Sequence, residues 1–199
     1  MKTIKLLITA LFAIVFVQST FAGSQKIGLY LTAEDFLNHK LSYETDGSNG
    51  PKIQLHGVFG SYKVVVIQDG KKQFFSKSEI FGYRKDGQDY RYFNNSAYRI
   101  IDTQGFYIYG YCKLVPAGKG PKQAEFFYFS AKPNDEIKPL TMDNLQTSFS
   151  KDTRFLYAIE GFFRTDNELT SYDVNLKEYK LKYLYAQTLV EPRICKKKT

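Results

Sequence analysis

The sequence contains no tryptophan, and it has only two cysteines, two histidines and two methionines among its 199 residues. Neither His39 nor His56 has another His, a Cys or a carboxylate at a spacing that metal-binding motifs use, so we expect no metal site. Two cysteines are too few for a disulfide framework, and the fold must rest on its own apolar core. The chain is long enough for this, because a domain of this size buries about 70% of its unfolded surface.

Long apolar runs are absent except near the N-terminus. Lys2 and Lys5 precede an apolar run of 12 residues, Leu6–Val17. Thr20-Phe21-Ala22 then fits the small-x-small pattern of a cleavage site. This order is typical of a secretory signal peptide. The alternative is a membrane anchor, which needs about 20 apolar residues. We therefore predict a signal peptide at residues 1–22, cleavage after Ala22, and a mature chain without a transmembrane segment in the periplasm or the medium.

Export permits a disulfide between Cys112 and Cys195. Their separation in the sequence neither favours nor excludes the bond, because disulfide formation depends on geometry. Cys112 lies in a strand-like segment, where a buried, small apolar residue is the alternative interpretation. Both interpretations stay open.

Acidic residues are outnumbered by basic ones. The precursor carries a net charge of +8, and loss of Lys2 and Lys5 leaves +6. A basic exported protein can meet anionic lipid, polyanionic glycan or acidic wall polymer. The alternative is that the charge only keeps the protein soluble, because the lysines are spread through the chain. The one local cluster, Arg193 with Lys196–Lys198, lies at the C-terminus, where chains often fray.

Tyrosine and phenylalanine are abundant, at 16 and 17 residues, and both favour strands. A first strand is predicted at Lys26–Leu31, followed by a short helix over Ala33–Asn38 that Thr32 caps. Two Asp-Gly pairs, Asp69-Gly70 and Asp86-Gly87, separate strand-like runs. Asp-Gly predicts a hairpin, because a type I′ turn needs positive φ at both positions.

A two-residue turn at Asp86-Gly87 fixes the register of the second hairpin. The facing pairs that it predicts are Tyr83–Tyr90, Phe81–Tyr92 and, on the opposite face, Arg84–Asp89. Four rings would then share one face of the sheet, where aromatic cross-strand pairs contribute about 0.2–1 kcal/mol each.

Further strands are predicted at Ala97–Asp102, Phe106–Val115 and Ala124–Ala131, joined by short turns. The last two are apolar or aromatic on both faces near one end, which is typical of central strands. The series indicates an antiparallel meander.

The pattern changes after Ala131. A helix capped by Thr141 is predicted to run through Phe149, a second over Lys151–Phe163 with Ser150 as the cap, and a third from near Ser171 to about Val190. The predicted fold class is α+β. An N-terminal antiparallel β-meander, either an open sheet or a small barrel, covers residues 23–132, and a helical cap with a basic tail covers residues 133–199.

Several stretches resemble a known group of proteins. They are Gly28–Phe36 (GLYLTAEDF), Asp89–Phe93 (DYRYF), Pro139–Thr141 with Asn144-Leu145, and Arg164–Asp173 (RTDNELTSYD). In these stretches the chain is similar to exported proteins of Bacteroidetes-type bacteria that have no assigned activity. The resemblance implies export and a source of that type, and it transfers no catalytic residue.

Tyr107, Tyr109 and Tyr111 alternate along one predicted strand and therefore share one face. If that face is open, the three rings could stack on sugars or bases, and they are the candidate binding residues. The alternative is that the helical cap covers them. The absence of tryptophan weakens a glycan-binding interpretation. Nucleic acid is not an expected partner, because exported proteins rarely meet it.

No catalytic motif is recognisable. The sequence has no G-x-S-x-G elbow, and Gly118–Lys122 lacks the spacing of a phosphate-binding loop, so we expect no cofactor. Glu79, Asp86, Asp89 and Asp102 are the carboxylates that could pair for glycoside hydrolysis. However, Asp86 belongs to a turn and Asp89 faces an arginine.

The leading hypothesis is an exported, non-catalytic envelope or secreted protein that binds a protein or glycan partner. The alternatives are a hydrolase acting on envelope material and a structural or stress protein of the envelope without a ligand. The oligomeric state does not follow from the sequence.

Overall fold

The computed structural model describes residues 26–46, 50–55, 62–118 and 120–190. The predicted signal peptide, His56, Cys195 and the basic C-terminal cluster lie outside these residues. Within them, no helix has the length and apolar character needed to cross a membrane.

The strands, in chain order, are β1 (Ile27–Tyr30), β2 (Ser42–Thr45), β3 (Lys52–Gln54), β4 (Lys63–Gln68), β5 (Lys71–Ser76), β6 (Gly82–Lys85), β7 (Gln88–Phe93), β8 (Ser96–Asp102), β9 (Tyr107–Ala117), β10 (Gly120–Ser130), β11 (Lys138–Pro139), β12 (Tyr172–Asp173) and β13 (Glu178–Tyr179). The helices are α1 (Ala33–Leu37), α2 (Met142–Ser148), α3 (Thr153–Phe162) and α4 (Lys180–Leu189), with a 3-10 helix at Asp166–Thr170.

An open antiparallel sheet of eight strands forms the centre of the fold, in the order β11-β10-β9-β8-β7-β6-β1-β2. Strands β6 to β10 follow one another as a meander, and most of the helices come after them. This confirms the predicted α+β class in its open-sheet form. The edge strand β11 lies beyond residue 132, so the central sheet also recruits a strand from the segment that the sequence assigned to the cap.

Strands β3, β4 and β5 form a separate three-stranded sheet instead of extending the meander. The predicted hairpin at Asp69-Gly70 is present, with positive φ at both residues. Val64 and Val66 of β4 are fully buried and pack against Leu29 of β1 in the central sheet. The small sheet therefore lies face to face with the central one, and a strand's alternation pattern does not tell these two arrangements apart.

The second hairpin has the predicted register, with Tyr83 opposite Tyr90 and Arg84 opposite Asp89. Arg84 Nε and Nη2 both donate to the Asp89 carboxylate, at 2.7 and 2.6 Å. The prediction of four rings on one face is wrong for Phe81. Strand β6 begins only at Gly82, and the Phe81 ring turns to the opposite face.

We define the back face of the central sheet by Ile108 of β9, Phe129 of β10 and Tyr92 of β7. Two separate parts of the structure pack on the back face and exclude water from it. The three-stranded sheet packs near Tyr92, and the C-terminal helices pack on Ile108 and Phe129 through the buried residues Leu145, Phe155, Ile159 and Leu181.

We define the front face by Tyr107 and Tyr109 of β9 and Arg91 of β7, and its helical cover is the short helix α1. Thr32 and Asp35 form the predicted capping box at its start, with bonds of 3.0 and 3.1 Å. Phe36 of α1 stacks on Phe81, with ring centres 5.0 Å apart. One and a half turns of helix are too short to cover a face eight strands wide.

Two predicted helix boundaries are wrong. Helix α3 is capped by Asp152, whose carboxylate accepts the N–H of Phe155, and not by Ser150. The helix predicted from Ser171 begins only at Lys180. The preceding residues form a β12–β13 hairpin, because the Asp173 carboxylate accepts two backbone N–H bonds of its own turn. Such local side-chain bonds compete with helix formation.

Lys182 joins α4 to the central sheet. It is 3% exposed, and its ammonium lies 3.3 Å from the Asp102 carboxylate and donates to the carbonyls of Gln104 and Phe106. Burial lowers the pKa of Lys182 to about 8, against the opposing effect of Asp102. A buried ammonium is tolerated only with such partners, so this contact fixes where α4 lies.

We expect Lys182→Ala to lower the free energy of unfolding by about 3 kcal/mol, because it breaks a buried ion pair and two hydrogen bonds. Lys151→Ala, at an exposed position, is the matched control and should stay within about 0.5 kcal/mol of wild type. Denaturant unfolding followed by circular dichroism measures both. Equal stability of the two variants would contradict the anchoring role of Lys182.

Burial raises the pKa of Tyr30, Tyr83 and Tyr92 above the ordinary tyrosine value. A tyrosine whose pKa is raised in the folded state stabilises the protein at pH values below its pKa in the unfolded chain, which is about 10. That stabilisation is lost as the pH rises above this value. We therefore predict loss of secondary structure above pH 10, coincident with a late, cooperative step of tyrosinate absorbance. The absence of tryptophan leaves that absorbance uncontaminated. Titration of every tyrosine near pH 10 in a chain that stays folded would contradict this.

Candidate functional site

The predicted tyrosine platform is largely buried. Tyr107 and Tyr109 are 6% and 0% exposed, and they share a core with Phe36 of α1 and Ile137. The C-terminal helices do not cover these tyrosines, since they pack on the opposite face of β9. A ring without an exposed face cannot stack on a sugar or a base, so Tyr107 and Tyr109 are core residues.

Tyr111, the third residue of the row, is half-buried at the edge of the same core. Lys113 covers it. The Lys113 ammonium lies 5.5 Å from the Tyr111 ring centre and 5.4 Å from that of Phe126, and it donates a 2.8 Å hydrogen bond to the Tyr128 hydroxyl. The protein's own lysine thus occupies the open end of the tyrosine row through cation–π contacts.

Cys112 is exposed, so its interpretation as a buried apolar residue is wrong. It lies on the back-face side of β9, beside a cleft of about 440 Å³ between the two larger sheets. Cys195 lies outside the described residues, and the disulfide stays a prediction.

Three of the carboxylates considered for catalysis have other structural roles. Asp89 pairs with Arg84 and accepts the Tyr30 hydroxyl at 2.9 Å, and Asp102 pairs with Lys182. Asp86 forms its turn with positive φ. Over the described ranges, no three His, Cys, Asp or Glu side chains come together as a metal site.

A different residue, Arg91, carries the strongest chemical feature of the front face. It follows Asp89 by two positions on β7 and pairs with Gly82 across the sheet, so it points to the same face as Tyr109. Arg91 is only 5% exposed. Its guanidinium carbon lies 5.6 to 5.8 Å from the ring centres of Phe81, Phe93 and Tyr109.

The hydrogen-bond partners of Arg91 are all neutral. One terminal nitrogen donates to the Tyr109 hydroxyl at 3.1 Å and to Ser130 Oγ at 3.3 Å, and the other donates to the carbonyl of Asp135 at 2.7 Å. A guanidinium has five N–H donors. No carboxylate of the described residues lies within ion-pair distance of it. Among the described residues, this charge is therefore buried without an opposite charge.

Arg91 lines a cavity of about 470 Å³ between the end of β7 and the start of α1, which we call the Arg91 cavity. Lys77, 6% exposed, lines both this cavity and the cleft beside Cys112, and its ammonium lies 5.5 Å from the ring centre of Tyr92, a back-face residue. Burial lowers the pKa of Lys77. Glu79, the one carboxylate that the described residues contribute to the lining, is exposed and accepts the backbone N–H of Ser76. The buried guanidinium of Arg91 therefore gives the wall of this cavity a positive charge.

Sequence reasoning did not select Arg91. The signal was present, because the register of the second hairpin places Arg91 on the front face together with Asp89, and the flanking residues Tyr90 and Tyr92 mark a core strand. Asp89 is satisfied by Arg84, which leaves Arg91 without a carboxylate partner. Nothing in the sequence indicates that Lys77 reaches the same cavity.

Comparison with known proteins yields no match: no family model, no curated protein and no solved structure is significantly similar to this chain. The site must be interpreted from its own geometry.

Arg91→Met separates a structural from a functional role of Arg91. Without the guanidinium, Ser130 Oγ keeps its bonds to the Tyr109 hydroxyl and to the carbonyl of Lys132, at 2.9 and 2.8 Å. The substitution removes a buried charge and leaves few acceptors without a partner. We therefore expect the free energy of unfolding to be higher than that of wild type, or at most about 1 kcal/mol lower. Chemical denaturation measures it. A loss of about 3 kcal/mol or more would mean that Arg91 is retained for stability.

Proposed function

We propose that this chain is an exported, non-catalytic envelope or secreted protein that binds an anionic group of a protein or glycan partner in the Arg91 cavity. The observation that carries the proposal is the buried guanidinium in the wall of that cavity, which has no carboxylate partner in the part of the chain that the structure describes. A bound anion would supply the missing opposite charge. Export rests on the signal-peptide pattern of residues 1–22 and on the resemblance to exported bacterial proteins.

The size and the lining of the cavity support binding more than catalysis. Its volume falls within the range of about 300–1,000 Å³ that is common for small-molecule sites. Hydrolysis of a glycoside usually needs two carboxyl groups that flank the bond, and within residues 26–46, 50–55, 62–118 and 120–190 the lining has only Glu79. The net positive charge favours the approach of an anionic partner.

The test uses the purified, tagged protein, mixed with native envelope and cell-wall fractions across a salt series. We expect wild type to be retained at physiological salt. Retention should fall about tenfold or more for Arg91→Lys, because a lysine ammonium cannot form the paired hydrogen bonds of the planar guanidinium. The control is Arg154→Lys, at an exposed position of α3. Both variants keep the net charge, so nonspecific attraction is equal in the two.

Retained material is quantified by immunoblotting and identified by mass spectrometry and sugar analysis. Equal retention of the two variants, or retention only at low salt, would contradict a site at Arg91 and reduce the positive charge to a solubility feature.

A further inference from the structure

The chemistry of the Arg91 cavity specifies its ligand more closely than a negative charge alone. This inference rests on the proposed function and deepens it. The three neutral contacts of Arg91 fix the guanidinium plane, which is held between β9, β10 and the turn before β11. A guanidinium held in one plane favours a planar anion with two oxygens, because two parallel N–H···O bonds then form together.

The buried guanidinium has lost most of its water, so an anion that enters replaces that hydration at short range. A carboxylate is planar, and its two oxygens can bond Arg91 together. The tetrahedral phosphate is a competitor that experiment must distinguish.

The rest of the wall includes aromatic and amide residues. The rings of Phe81 and Phe93 lie beside Arg91 on the front face, and Asn94 and Asn134 are exposed turn residues of the lining. A wall of this kind suits a ligand with one apolar face and several hydroxyl groups. A pyranose ring has that character, and an extended acidic peptide has not.

We propose that the Arg91 cavity binds a carboxylated monosaccharide unit, such as a uronic acid, of an acidic glycan. The carboxylate lies against the Arg91 guanidinium, and the hydroxyl groups of the ring bond the amides of Asn94 and Asn134. The sugar ring packs against Phe81 and Phe93.

Isothermal titration calorimetry of the purified protein compares five probes: glucuronate, glucose, acetate, glucose 6-phosphate and a short acidic peptide. We expect glucuronate to bind about 10- to 100-fold more tightly than glucose, since only glucuronate makes the charge-assisted bonds. It should also bind more tightly than acetate, which lacks the hydroxyl-bearing ring.

Two variants separate the two parts of the ligand. Arg91→Lys should weaken glucuronate about 10- to 100-fold. Asn134→Ala, in an exposed turn where folding is not at risk, should weaken glucuronate several-fold and leave acetate unchanged. Arg154→Lys should change neither affinity. Circular dichroism of each variant confirms that it is folded.

The outcomes separate this inference from the proposed function. If glucuronate and acetate bind equally, and both depend on Arg91, the sugar is overturned and anion binding stands. Tighter binding of glucose 6-phosphate overturns the carboxylate, and tighter binding of the acidic peptide overturns the glycan in favour of a protein partner. If no probe binds, or binding is unchanged in Arg91→Lys, both proposals fail at this cavity.

Discussion

The central sheet of eight strands presents two wide faces, and wherever a face is apolar it must be buried against another element. That constraint explains the rest of the structure. The back face receives two separate covers, a three-stranded sheet over Tyr92 and the C-terminal helices over Ile108 and Phe129. The front face has only α1 as its helical cover. Most of the secondary structure outside the central sheet is therefore used on one side.

The Arg91 cavity follows from this unequal covering. Helix α1 closes over Phe81 and Tyr107, and β7 ends beside it with Arg91 pointing to the front face. Arg91 occupies a buried strand position, where an apolar side chain is the usual choice. The arginine is accommodated because Tyr109 and Ser130, on other strands of the sheet, place their hydroxyls next to its guanidinium. Lys182 and Arg91 make an instructive contrast. Each is a buried cation, but Lys182 has Asp102 as a partner and fixes a helix, whereas Arg91 has only neutral partners and faces a cavity.

Local signals in the sequence predicted local structure well. The Asp-Gly turns, the Arg84–Asp89 pair and the Thr32 capping box all depend on residues close together in the chain. Long-range arrangement was harder: strand alternation did not reveal that β3–β5 leave the meander, nor which face the helices cover. The tyrosine row shows the same limit, because alternation places Tyr107, Tyr109 and Tyr111 on one face but does not say that Tyr107 and Tyr109 are buried. Arg91 became a site only when the cavity beside it was visible.

The central claim is that a buried, uncompensated guanidinium faces a ligand cavity, and the arginine side-chain N–H signals in a nitrogen-15 NMR spectrum test it most directly. The Arg91 signals are assigned by their loss in Arg91→Lys. We predict that they exchange slowly with solvent, because three hydrogen bonds hold the group, and that they shift on titration with glucuronate while the Arg154 signals stay in place. Rapidly exchanging Arg91 signals that do not move with ligand would contradict both the burial and the binding of this guanidinium.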